Sequence, residues 1–124
     1  MSATVLVGLV AAGAVGAPCR YVVDGLVQDR IGSRFPWGTL VINVSGSLLL
    51  GLLTGAAIYH GFPTTPKIVL GTGFCGAYTT FSTFTYETVR LLEEGDMGAA
   101  LRNTALSLVA GTGAAALGLA IAAR

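Results

Sequence analysis

The chain has 124 residues, of which 53% are hydrophobic and only 10% are charged, and its formal net charge is +1. Soluble domains carry about 25% charged residues, so this composition indicates a membrane protein with no room for a soluble catalytic domain. The near-neutral charge, without a basic run, argues against nucleic-acid binding, and no cluster of His, Cys and carboxylate residues suggests an enzyme.

Four apolar stretches each approach the length that crosses a bilayer as a helix, about 20 residues. The sequence therefore predicts an all-α membrane protein in which residues 1–124 form one domain of four transmembrane helices. The predicted spans are Thr4–Val23, Trp37–Tyr59, Lys67–Leu92 and Met97–Ala122. Between the first two spans, Asp24–Arg34 is polar with spaced apolar residues, which predicts a short separate helix at the membrane interface.

Basic residues give only a weak bias for orientation in the membrane. Lys67 and Arg124 fall on one predicted side, and more arginines fall on the other. The second group contains Arg30, Arg34, Arg90 and Arg102. Lys and Arg normally mark the cytoplasmic side, so the bias places both termini outside, but a chain that inserts in both orientations is equally compatible.

Small residues recur at helical spacing along the predicted spans. Gly8, Ala12 and Gly16 are four residues apart on the first span, as are Gly51 and Gly55 on the second. Such faces let helix backbones approach closely in lipid, where no hydrophobic force drives helices together. They predict tight helix packing and favour an oligomer.

The stretch from Gly71 to Glu87, GTGFCGAYTTFSTFTYE, distinguishes the third span from an ordinary membrane helix. It places glycines, consecutive hydroxyl residues and three phenylalanines inside a predicted span. Lipid cannot hydrogen-bond to unpaired polar groups, which are costly in hydrocarbon. Partner helices, a second copy of the chain or a bound ion must therefore satisfy this segment, and that requirement points to permeation.

Neutral hydrogen-bonding side chains are predicted at membrane depth on three spans. Thr39 and Asn43 are four residues apart and share a helix face on the second span, as do Asn103 and Ser107 on the fourth. The third span contributes Thr79, Thr80, Ser82, Thr83 and Thr85. Any one of them can be explained by a bond to a neighbouring helix, but together they predict a ladder of donors.

Neutral donors suit a small, dehydrated anion. The positive ring edges of Phe81 and Phe84 can face such an ion, and a pore must also release what it binds. The only acid inside a predicted span is Glu87, near one end. A small multidrug exporter is one alternative, but it needs a deep acid in its first span, and Thr4–Val23 has none. A non-conducting scaffold is another; it explains the glycines but not the donors.

Two motifs resemble a known family. They are Trp37-Gly38-Thr39-Leu40-x-x-Asn43-x-x-Gly46 and Gly73-Phe74-Cys75-Gly76-x-Tyr78-Thr79-Thr80-Phe81-Ser82-Thr83-Phe84. In these motifs, in Gly13–Arg20 and in its four spans, the chain resembles the Fluc (CrcB) fluoride channels. The resemblance implies a passive, selective fluoride channel of the cell inner (plasma) membrane that exports cytoplasmic fluoride and protects against its toxicity. It also implies an antiparallel homodimer inserted in dual topology; pairing with a homologous partner chain stays open.

The resemblance further implies which residues form the fluoride pathway. Phe81 and Phe84 from both subunits would line it through their ring edges, and Asn43 would be its amide donor. The polar track would be extended by Thr39, Ser82, Thr83 and Ser107. Arg20 would lie near a vestibule wall, and Glu87 would either line an outer part of the pathway or be an exposed carboxylate at a helix end.

A structural sodium ion at the dimer centre is also implied by the resemblance. A break in the third helix would present the backbone carbonyls of Gly76 and Thr79 from both subunits to this ion. Many members of the family have a tyrosine four residues before the serine of the fourth span, whereas this chain has Asn103 there. The sequence leaves the role of that amide open.

Overall fold

A computed structural model describes all 124 residues, and they form helices joined by short loops. The helices are α1 (Ala3–Ile31), α2 (Trp37–His60), α3 (Thr64–Ile68), α4 (Gly76–Tyr78), α5 (Phe81–Glu93) and α6 (Met97–Ala122), with a π-helical segment at Val69–Cys75 between α3 and α4. Three of them, α1, α2 and α6, are long and apolar enough to cross a membrane. The chain is therefore an all-α membrane protein.

Helices α2 and α6 pack in parallel through small residues. Gly51 lies against the backbone of Ala115, and one turn later Gly55 lies against Ala122. At the end of both helices, His60 Nε2 lies 2.7 Å from the carbonyl oxygen of Ala122. Because the two helices run in the same direction, the chain between them must travel back along their length, and α3 to α5 make this return.

The returning segment is not one continuous helix. The π-helical turns contain Gly71 and Gly73, and α1 packs directly against them. A Cβ atom on Gly73 would lie 3.0 Å from the carbonyl oxygen of Leu9, and one on Gly16 would lie 2.6 Å from that of Phe74. Glycine at these positions lets the backbone of α1 approach the segment just before it breaks.

The predicted separate helix at Asp24–Arg34 is wrong, because α1 continues through these residues to Ile31. It ends at Gly32, whose φ of 63° is left-handed and whose N–H donates to the carbonyl of Gln28 over 2.8 Å. No residue after Val23 interrupts the helix. At about 43 Å, α1 is longer than the hydrocarbon core of a bilayer, about 30 Å thick.

The loop between α1 and α2 is anchored on the corner between α5 and α6. Phe35 packs against a small buried cluster that includes Leu91 and Ala99. An ion pair joins Arg34 to Glu94 over 3.7 Å. These contacts hold the first turn of α2 beside α5, which brings Thr39 and α5 together.

We expect Gly118→Ala to destabilise the protein by about 1–3 kcal/mol, as overpacking typically does. The added methyl would lie 2.5 Å from the carbonyl oxygen of Leu48 and 2.7 Å from the amide nitrogen of Leu52, and backbone atoms of α2 cannot move aside alone. Gly113→Ala on the same helix is the control, because nothing lies within 4 Å of its Cβ position. Unfolding in detergent measures both variants; equal stabilities would contradict close backbone packing at Gly118.

Candidate functional site

The polar site is built around a break in the helical path at Thr79 and Thr80. Both residues have extended backbone, with φ and ψ of −80° and 159° for Thr79 and of −149° and 122° for Thr80. Thr80 then caps α5, because its hydroxyl accepts the N–H of Thr83 over 3.1 Å. The break therefore leaves backbone groups of α4 and α5 without their usual helical bonds.

Asn43 of α2 pairs with the backbone at this break. Its Nδ2 donates to the carbonyl of Thr80 over 2.9 Å, and its Oδ1 accepts the N–H of Thr80 over 2.8 Å. One primary amide thus satisfies both polar groups of a residue that is 8% exposed. The second hydrogen on Nδ2 is not used in this pairing and could still donate to an ion. The predicted role of Asn43 as a pathway donor therefore stays a prediction.

The same bonding removes the helical donor from the carbonyl of Gly76. In a continuous helix, the N–H of Thr80 would donate to the carbonyl of Gly76, but here it donates to Asn43. The carbonyl of Thr79 accepts a hydrogen bond of 3.4 Å from Nη1 of Arg20. No cluster of three or more His, Cys, Asp or Glu side chains is placed to hold a metal, and the sodium site predicted at Gly76 and Thr79 stays a prediction.

A first cleft of about 530 Å³ opens beside the break. It brings together six of the residues predicted from the sequence: Asn43, Gly76, Thr79, Phe81, Phe84 and Ser107. The rest of its lining is Gly46, Ser47, Leu50, Gly71, Cys75, Thr80, Thr104 and Leu108. No side chain in the lining carries a formal charge.

Phe81 and Phe84 form an edge-to-face pair in the first cleft. Their ring centroids are 5.7 Å apart and their planes are inclined at 75°. Phe81 lies at the first position of α5 and remains 72% exposed within the chain. An exposed aromatic ring at the edge of this uncharged cleft indicates that this side of the site is open.

A second, smaller cleft of about 180 Å³ holds three other predicted residues, Arg20, Thr39 and Thr83. Its further lining is Ala17, Tyr21, Asp24, Ile42 and Thr80. Thr80 therefore lies between the two clefts. Thr39 and Asn43 share a helix face in the sequence, but the structure separates them, because each lines a different cleft.

Two predicted site residues, Glu87 and Ser82, line neither cleft. Glu87 accepts a hydrogen bond of 2.5 Å from the hydroxyl of Thr39, which is 4% exposed. It is thus tied to α2 rather than free at a helix end. Ser82 is exposed, and its Oγ lies 3.3 Å from Oγ1 of Thr80.

Several hydroxyls of the third and fourth predicted spans donate to their own helical segment instead of to a pathway. Each of four threonines donates to the carbonyl four residues earlier: Thr79, Thr85, Thr88 and Thr104. Such bonds are common for Thr in helices. Within the first cleft, the hydroxyl of Thr80 donates to that of Thr83, so Ser47 and Ser107 are the hydroxyls left without an acceptor in the chain.

Asn103 is buried, at 2% exposure, and lines neither cleft. Its Nδ2 donates over 2.9 Å to the hydroxyl of Thr88, which donates in turn to the carbonyl of Phe84. The amide therefore joins α6 to α5 just behind a cleft residue. Its place in the structure is that of a helix-to-helix contact.

Sequence reasoning did not assign site roles to several residues that line the clefts. In the first cleft these are Thr80, Ser47 and Thr104, which the sequence placed only among the polar residues at membrane depth; in the second they are Tyr21 and Asp24, which it did not single out. The helical spacing of Arg20 and Asp24, four residues apart, was the available signal for the second cleft. No local pattern marks Thr80 as the residue that separates two clefts.

Fold and site together define an α-helical membrane protein whose polar, uncharged site lies at a break between helices. A family model described as CrcB-like protein, Camphor Resistance (CrcB), matches residues 6–119. The chain belongs to this CrcB-like family.

Similar proteins cover nearly the whole chain. It is 55% identical over 112 residues to the protein named Fluoride-specific ion channel FluC 1 of Streptomyces avermitilis, covering 90% of each chain. It is 50% identical over 119 residues to the protein of the same name from Frankia casuarinae, covering 92% of each. It is 43% identical over 122 residues to Fluoride-specific ion channel FluC 2 of Mycobacterium tuberculosis, covering 98% of this chain and 94% of that one.

We expect Asn43→Ala to loosen the break, because it leaves the buried N–H and carbonyl of Thr80 unpaired at about 1–3 kcal/mol each. Amide hydrogen exchange should show reduced protection at Thr80 and Thr83. The control is Ser47→Ala, one turn further along α2 in the same cleft, which should leave protection unchanged. Equal protection in wild type and Asn43→Ala would contradict a structural role for this amide.

Proposed function

We propose that the chain is a passive, selective fluoride channel that exports cytoplasmic fluoride and protects the cell against fluoride toxicity. Membership of the CrcB-like family and the names of the similar proteins support this function. The observation that carries it is the lining of the first cleft, where neutral donors and aromatic edges converge without a charged side chain.

The chemistry of this lining suits a dehydrated anion. A pore must replace hydration and still release its ion quickly, and neutral groups do both better than a fixed cation would. Ser47, Ser107 and the second hydrogen of the Asn43 amide can donate, and the ring edges of Phe81 and Phe84 are the positive part of their quadrupoles. These groups fit a small anion without binding it permanently.

The alternatives are less well supported. A multidrug-type exporter needs a deep carboxylate to exchange protons for substrate, and the first cleft contains none. A non-conducting scaffold gives no reason for aromatic rings and free donors to share an open cleft. The names of the similar proteins describe ion channels rather than enzymes.

The proposed working unit is an antiparallel, dual-topology dimer in the cell inner (plasma) membrane. The partner is a second copy of this chain or a homologous chain. In this unit the segment from α3 to α5 is the third of the four predicted spans, which fits its return path between the parallel helices α2 and α6. The exposure of Phe81 and the open space around Gly76, which has nothing within 4 Å of its Cβ position, support a partner at the first cleft.

A structural sodium ion is proposed at the centre of this dimer. The carbonyls of Gly76 and Thr79 would hold it, since carbonyl oxygens suit hard cations. The fit rests on the Gly76 carbonyl. The N–H of Thr80, which would donate to it in a continuous helix, donates to Asn43 instead. A bound cation would satisfy this carbonyl in lipid and hold the two broken helices together.

Fluoride transport is tested by reconstituting the purified chain into liposomes loaded with potassium fluoride. After valinomycin is added, a fluoride electrode should record rapid fluoride efflux. Liposomes loaded with potassium chloride should release no chloride in the same assay. Phe81→Ile and Phe84→Ile should each reduce the efflux at least about tenfold, because they remove the positive ring edges. Both variants should retain the size of the wild-type assembly. The absence of fluoride efflux from wild type would contradict the proposed channel function. Fluoride efflux at the wild-type rate from both variants would contradict the role of these rings in the pathway.

Gly76→Leu should weaken the dimer without unfolding the chain. Gly76 has ordinary helical backbone angles, and the single chain has room for a side chain there. Any steric clash of the new side chain must therefore be with the partner chain or with the central ion. Light scattering in detergent should show more monomer than in Gly25→Leu, a control with equally open space on α1. A stable, sodium-bound Gly76→Leu dimer would overturn this interface.

A further inference from the structure

The second cleft differs from the first because it contains formal charges of both signs. Arg20 and Asp24, four residues apart on α1, both line it. The carboxylate of Glu87 lies just behind it, bonded to the lining residue Thr39. An anion that enters this cleft therefore meets one guanidinium and one carboxylate directly.

The position of Asp24 is imposed by backbone packing. A Cβ atom on Gly38 would collide with Oδ1 of Asp24 and would lie 3.1 Å from its Cα. The absence of a side chain at Gly38 thus lets α1 press Asp24 against the first turn of α2. This contact holds the carboxylate beside Thr39, in the wall of the cleft.

Asp24 lies at the end of the first predicted membrane span rather than inside it. It directly follows the apolar stretch Thr4–Val23, and α1 is longer than the hydrocarbon core is thick. Arg20 and Asp24 form no ion pair within 4.0 Å, although other side chains of the chain do. Arg20 directs Nη1 to the carbonyl of Thr79 instead. Both charges therefore contribute separately to the potential in the cleft.

We propose that Asp24 sets the rate at which anions enter the proposed pathway through the second cleft. It does so by opposing the attraction that Arg20 exerts on anions in that cleft. This role rests on the proposed channel function. A charge at the rim of a binding site changes mainly the association rate, and added salt reduces this effect by screening the charge. Asp24 thus slows the entry of anions and does not bind the ion itself.

Fluoride current across planar bilayers tests this role in wild type and Asp24→Asn. The substitution keeps the shape of the side chain and removes its charge. At about 10 mM ionic strength, where the Debye length is about 30 Å, the current of the variant should exceed that of wild type about three- to tenfold. At about 1 M potassium isethionate, where the Debye length is about 3 Å, the two currents should converge.

Asp29→Asn is the matched control, because it removes the same charge from an exposed position further along α1 that lines neither cleft. It should carry the wild-type current at both ionic strengths. Arg20→Gln gives an independent test of opposite sign, with less current than wild type at low ionic strength only. If Asp24→Asn does not assemble, Asp24→Ser removes the same charge with a smaller side chain, and its currents at the two ionic strengths decide the role.

Three outcomes would overturn the role of Asp24. They are equal currents in Asp24→Asn and wild type at low ionic strength, an increase that high salt does not remove, and an assembled but inactive Asp24→Asn. In each case the wild-type current would leave the proposed channel standing. The absence of any fluoride current in wild type would instead overturn the channel and this role together.

Discussion

A break in a helix within the membrane must find hydrogen-bond partners inside the protein, because lipid offers none. The pairing of the Asn43 amide with the backbone of Thr80 meets this requirement. It satisfies the two groups that the break exposes most directly, and the hydroxyl of Thr80 then starts α5 again. The remaining features of the site depend on this pairing: the free Gly76 carbonyl, the direction of α5 and the placement of its aromatic rings.

Close backbone packing places Asn43 and the break within reach of each other. Gly46 lies one turn after Asn43, against Tyr78 and Thr79, and Gly16 of α1 approaches the other side of the same segment. Side chains at these glycines would push α1 and α2 away from the broken segment, and the amide could no longer reach it. Small residues, usually explained by helix association alone, here also control the geometry of the polar site.

The break divides the polar residues into two environments with different electrostatics. Thr80 lines both clefts, with neutral groups on one side of it and the charges of Arg20 and Asp24 on the other. Long-range charge acts best where an ion first arrives from water, whereas neutral donors are better where it must be released quickly. In the proposed channel, this division gives one short segment two distinct functions.

Length and hydrophobicity in the sequence were enough to determine a helical membrane protein, because crossing a bilayer requires long apolar helices. The motifs around Asn43 and Phe81 also indicated the family, and that resemblance indicated six of the 14 residues that line the first cleft. Tertiary structure decided which groups bond to each other. Thr39 and Asn43 share a helix face but line separate clefts, Thr79 and Thr85 of the donor ladder bond to their own helical segments, and Asn103 bonds to Thr88. Helical spacing specifies the face of a side chain, but the acceptor it finds depends on how neighbouring helices approach, and glycines far away in the sequence set that approach.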